Sequence, residues 1–136
     1  MKLFKKLGLC MGIAVPVLFA TVNVDAYKLS ASKELKSSNY SGAYCNTTAT
    51  ASCDTVGSFN WTTSVKDSRK STTSYLIYRL GDYWTKNNST KKAVYNWKYT
   101  VSKLSTGASG GSTTVSNGSG TATFTYNAST KKLTVQ

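Results

Sequence analysis

Apolar and polar residues alternate along much of the chain after residue 27. From Ala93 to Leu104, Ala93, Tyr95, Trp97, Tyr99 and Val101 fall on one side and Asn96, Lys98, Thr100 and Ser102 on the other. That period of two defines a half-buried strand. Phe59, Trp61, Thr63 and Val65 alternate with Asn60, Thr62, Ser64 and Lys66 in the same way, and Ala122, Phe124 and Tyr126 with Thr121, Thr123 and Thr125. The segment from Ser74 to Leu80 is apolar on both sides, which predicts a central strand covered on each face. Shorter strands are predicted at Tyr40 to Cys45, Tyr83 to Thr85, Thr113 to Ser116 and Lys132 to Val135. Gly81-Asp82 reads as a tight turn and Asn117-Gly118-Ser119-Gly120 as a hairpin loop, because Asn and Gly accept positive φ. Asp67 to Thr73, Lys86 to Lys92, Ser105 to Ser112 and Asn127 to Lys131 make the remaining connections. Only Ser30 to Lys36 offers a helical alternative, with Ser32 as its cap and Leu35 as its single apolar anchor. Seven to eight strands without a second helical pattern predict an all-β chain, a single antiparallel β-sandwich or small barrel. With no internal linker and no convincing repeat, one domain suffices.

The first 26 residues follow another logic. Lys2, Lys5 and Lys6 precede an apolar stretch from Leu7 to Ala20, and Val24-Asp25-Ala26 closes it with small residues. This reads as an export signal, residues 1–26, cleaved after Ala26, with residues 27–136 as the secreted domain; the stretch is shorter than the roughly 20 apolar residues of a spanning helix and is interrupted by Pro16. Cleavage leaves 110 residues with 14 basic and four acidic groups, a net charge of +10. Leu, Ile, Val and Phe number only 15 in that segment, a composition that borders on disorder. Nine Tyr, three Trp and two Phe answer the deficit, since each ring buries about 150–250 Å² and an aromatic core replaces the aliphatic one.

Cys45 and Cys53 remain after cleavage, and in an oxidising compartment they are expected to pair as a disulfide closing a small polar loop. A metal site would need two further soft ligands, which the secreted segment does not offer. Seven Asn-x-Ser/Thr triplets begin at Asn39, Asn46, Asn60, Asn87, Asn88, Asn117 and Asn127; with 39 Ser and Thr in the chain and a bacterial-looking signal they are read as composition.

The basic groups gather at the connections: Lys66, Arg69 and Lys70 at one, Lys86, Lys91 and Lys92 at another, Lys131 and Lys132 at a third. If residues 59 to 104 form a simple meander, the first two connections share one end. The candidate site is then a cationic patch with Asp67 as its only local acid, bordered by Tyr83 and Trp84. Such a surface attracts phosphate-bearing polymers by counterion release and anionic lipid by surface potential, while its rings suit stacking or a membrane interface. Nucleic acid would bind only as a nonspecific polyanion.

Catalysis is disfavoured. The chain has no histidine and five carboxylates, so imidazole-dependent nucleophiles are excluded and paired acid/base chemistry has little material. Asp67 and Asp82 are expected at opposite ends of a strand, roughly 20 Å apart and too far to act on one bond. No phosphate-cradling glycine motif, calcium loop or wall-sorting motif is present, and no cofactor is implied.

Small size, export and strong positive charge resemble the general organisation of secreted bacteriocins of Gram-positive bacteria. The composition, rich in Lys, Ser, Thr, Asn and Tyr, resembles the basic surface-layer proteins of lactobacilli. Neither resemblance rests on a motif. The expected function is that of a secreted, non-enzymatic cationic protein acting on anionic cell-envelope surfaces, wall polymer or membrane, in a bacteriocin-like role. The alternative is a structural or adhesive module whose sheet edges mediate assembly.

Overall fold

The computed structural model describes the backbone of residues 18–20 together with residues 28–105 and 110–136. The segment read as an export signal otherwise lies outside the described residues. Eight strands follow in chain order: β1 (Leu18–Ala20), β2 (Lys28–Lys36), β3 (Tyr44–Asp54), β4 (Asn60–Lys70), β5 (Tyr75–Asn87), β6 (Lys92–Leu104), β7 (Ser112–Asn127) and β8 (Lys132–Val135). They form two antiparallel sheets, β2-β3-β4 and β1-β8-β7-β6-β5, packed face to face as a β-sandwich.

The two inner faces differ in side-chain size. β6 contributes Ala93, Tyr95, Trp97, Tyr99 and Val101 to the core, and β7 adds Phe124. Opposite them, β3 presents Cys45, Thr47, Ala49, Ala51 and Cys53, and β2 presents Leu29, Ala31 and Leu35. Large rings on one sheet therefore fill the space that small residues on the other leave open, which is how close packing is reached with few aliphatic side chains. The same relation holds within the larger sheet. Gly118 stands opposite Tyr99 and Gly120 opposite Trp97. A Cβ at Gly118 would fall inside the Tyr99 ring, and one at Gly120 would lie 3.3 Å from Trp97 and 3.4 Å from Leu35. The Tyr99 hydroxyl reaches past Gly118 to accept a hydrogen bond from the Ser38 N–H at 3.0 Å, tying the β2–β3 connection to the core. The indole N–H groups of Trp61 and Trp97 are buried without an acceptor in the protein, a polar cost set against extensive ring burial.

Several sequence expectations are corrected. Residues 30–36 lie in strand β2, not a helix, because Leu29, Ala31 and Leu35 turn toward the core with strand spacing. Asn117 to Gly120 is not a loop but the middle of the 16-residue strand β7, where the glycines make room for rings. Gly81-Asp82 is not a turn: β5 runs through it from Tyr75 to Asn87 with a bulge between Arg79 and Gly81. β5 is also an edge strand rather than a central one, with Ile77 buried but Leu80 exposed.

The Cys45–Cys53 disulfide is overturned as well. Both residues lie on β3, the central strand of its sheet, and both are free thiols. Eight residues of strand separate their Cα atoms by about 26 Å, against the roughly 7 Å limit for a bridge. Burial pushes both thiols up, Cys53 to about 11 and Cys45 also through the Asp67 charge.

Two outcomes are expected. Gly118→Ala destabilises the fold by about 1–3 kcal/mol through overpacking against Tyr99, while Gly81→Ala, with open space at its Cβ, shifts a urea midpoint very little. Neither thiol reacts with a thiol reagent at pH 8 until the chain is unfolded. Because the folded pKa of Cys53 lies above its unfolded value of 9.0, its contribution is complete below that value and is lost as pH rises through about 11, so alkaline denaturation steepens in that window.

Candidate functional site

The uninterrupted course of β5 decides where the charges lie. Its first residues follow the end of β4, and its last lead into the β5–β6 hairpin, so the two connections sit at opposite ends of a 13-residue strand. At strand rise that is about 40 Å. Lys66, Arg69 and Lys70 are therefore not brought together with Lys86, Lys91 and Lys92. Tyr83 and Trp84 do not border a common patch either. Trp84 turns inward, its ring centroid 5.0 Å from Tyr95 and 5.7 Å from Phe124, whereas Tyr83 stands 61% exposed on the outer face. There Tyr83 lines a shallow groove of about 580 Å³ with Gly81, Asn96, Lys98, Ser119 and Thr121.

Asp67 and Asp82 are joined, not separated. Arg79 donates from Nε to Asp67 at 3.0 Å and from Nη1 to Asp82 at 2.5 Å. The Tyr95 hydroxyl donates to the same Asp82 oxygen at 2.9 Å, and the Thr47 hydroxyl donates to the other Asp67 oxygen at 2.7 Å. The bulge after Arg79 makes this possible, because it lets Arg79 and Asp82, three residues apart, both face inward. Burial, then the Asp82 hydrogen bond and charge, push the Tyr95 phenol well above its ordinary range. Three of the four carboxylate oxygens are thus engaged by protein donors in a structural tie across β3, β4, β5 and β6. Among the described residues no group of three or more Cys, Asp or Glu side chains is arranged to hold a metal ion.

The opposite happens with the other basic groups: the β5–β6 and β7–β8 hairpins lie side by side at one end of the larger sheet, since β6 and β7 are neighbours and Lys92 stands opposite Thr125. This end also receives the start of β2 and the β3–β4 loop, whose Phe59 packs on Tyr126. Lys28, Lys86, Lys91, Lys92, Lys131 and Lys132 consequently share one end, with Asp54 as its single acid among the described residues.

The two hairpins also share five of six residues, Asn87-Asn88-Ser89-Thr90-Lys91-Lys92 against Asn127-Ala128-Ser129-Thr130-Lys131-Lys132. In each, the first Asn side chain accepts from the backbone N–H of the Thr three residues on, at 2.9 Å and 3.0 Å. In each, the first Lys takes a left-handed backbone, φ 55° at Lys91 and 56° at Lys131. That conformation favours Gly or Asn, and a lysine adopts it at an energetic cost. Lys91 places its ammonium 4.6 Å from the centroid of the Phe59 ring, whereas Lys131 is exposed. The repeat is legible as five of six residues recurring forty positions later, but its shortness hides it in a chain so rich in Asn, Ser, Thr and Lys.

No family model, curated protein or solved structure matches this chain.

The strained lysines give a direct test. Lys131→Gly is expected to leave stability unchanged or to raise it by up to about 1 kcal/mol in a thermal melt. Lys91→Gly falls below it by about 0.5–1 kcal/mol, the value of the contact with Phe59.

Proposed function

We propose that this protein is secreted and non-enzymatic, and that it binds the anionic surface of a cell envelope through its hairpin end. The observation that carries this reading is the convergence of six lysines from separate segments around a single acid, Asp54. A local excess of that kind concentrates phosphate- or carboxylate-bearing polymers and draws them in at long range. The export-like N-terminus supports a location outside the cytosol. The absorption of Asp67 and Asp82 by Arg79 supports a binding role over acid/base chemistry. A bacteriocin-like action on neighbouring cells is the biological form of this reading that growth-inhibition assays address.

A second reading, assembly through a sheet edge, draws support from β5, an edge strand of 13 residues with Leu80 and Tyr83 exposed on it. Self-association at physiological salt without affinity for polyanions would favour it.

For the leading reading, purified protein titrated with an anionic polymer is expected to lose about tenfold or more in affinity between roughly 50 and 200 mM salt. A flat salt dependence would remove surface-charge binding as the function.

A further inference from the structure

The duplicated hairpins carry an inference that rests on the preceding reading and narrows its ligand. Lys92 opens β6 and Lys132 opens β8, and each is followed by a buried apolar residue, Ala93 and Leu133. Strand alternation therefore turns both lysines to the outer face of the larger sheet. Lys92 stands opposite Thr125 and Lys132 opposite Asn127, with β7 between them. Two strand spacings and a two-residue offset set their Cα atoms roughly 12 Å apart. On that face Thr125 and Asn127 of β7 lie between them, with Thr123 and Thr134 beside Thr125, and among the described residues it holds no carboxylate, since Asp82 faces inward. The hairpin tips, Asn88-Ser89-Thr90 and Ala128-Ser129-Thr130, offer no apolar side chain larger than alanine to enter a bilayer.

We propose that the paired hairpins form a two-point receptor for a linear polyol-phosphate polymer, Lys92 and Lys132 each taking one phosphodiester while Thr125 and the polar residues around it meet the intervening polyol. Two parallel ammonium groups repel one another and are satisfied by two anions on one chain, and the second contact gains from being intramolecular. Small free anions reach only one point at a time.

Synthetic glycerol-phosphate oligomers, from the monomer to about eight units, test this by calorimetry at fixed salt. The expected result is a step of about tenfold or more in affinity once the oligomer spans both lysines, on the scale that linked contacts produce. Lys92→Gln and Lys132→Gln should each abolish the step, and the double variant should lose little beyond either one. Thermal melts of all variants should match the parent, since both side chains are exposed. Affinity that grows smoothly with length, with additive losses no larger than those from Lys66→Gln and Lys103→Gln at the far end, overturns the two-point receptor but leaves surface-charge binding standing. Preference for phosphatidylglycerol vesicles over the longest oligomer at equal phosphate overturns the polymer assignment. Absence of binding to either at low salt removes the surface-charge reading together with this one.

Discussion

Close approach between aromatic rings and residues with little or no side chain is the constraint on which this fold depends. Tyr99 and Trp97 lie over Gly118 and Gly120 of the adjoining strand, and the same β6 face packs across the sandwich toward the Ala, Cys and Thr row of β3. A chain so poor in aliphatic residues reaches native packing density only when each ring has such a recess. The consequence extends beyond the core. Because the glycines serve as recesses and not as a turn, β7 continues unbroken to Asn127, and its hairpin with β8 emerges beside the hairpin joining β5 to β6. The packing of the interior thereby sets the arrangement of charge at the surface.

The interior also withdraws carboxylates from that surface. Of the four acids in residues 28–136, Asp67 and Asp82 are held by Arg79, leaving Glu34 and Asp54 against thirteen other basic groups. Glu34 lies 3.8 Å from Lys36. An exposed contact of that length contributes little, so the tie at Arg79 is the ion-pair network with structural weight. The bulge that creates it also keeps β5 a single strand, so one local irregularity closes the polar network and at the same time separates the two cationic ends.

What the sequence made legible follows from side-chain size. β6 and the start of β4 announce themselves because large rings alternate with polar residues. β3 has the same period, but its buried residues are Cys45, Thr47, Ala49, Ala51 and Cys53, too small to register as hydrophobic, and the segment reads as a polar loop between cysteines. Gly118 and Gly120 mislead for a related reason: glycine is punctuation in a local reading, and only the position of rings on a neighbouring strand makes it packing, while Gly81 marks a bulge within β5 and not a turn. The candidate site suffers from two such errors. A false turn at Gly81-Asp82 adds a reversal that groups the lysines of the β5–β6 hairpin with Lys66, Arg69 and Lys70, and a second false turn at Asn117 to Gly120 separates them from Lys131 and Lys132.

The separation of the two ends limits what total charge can explain. At physiological ionic strength the screening length is about 8 Å, far less than the roughly 40 Å along β5. Lysines at the far end therefore add almost nothing to the potential at the hairpin end, and the charge that acts there is that of the six local lysines and Asp54 rather than the +10 of residues 27–136. Under the proposed function, selectivity among polyanions rests on geometry at that end. Geometry is what the hairpins repeat: five of six residues in common, the same Asn-to-Thr hydrogen bond and the same left-handed lysine, held on adjacent hairpins of one sheet. Charge alone would be served by lysine at any exposed position. Recurrence at equivalent strand starts, with Lys92 and Lys132 on one outer face, ties the cations to a fixed spacing that total charge alone would not require.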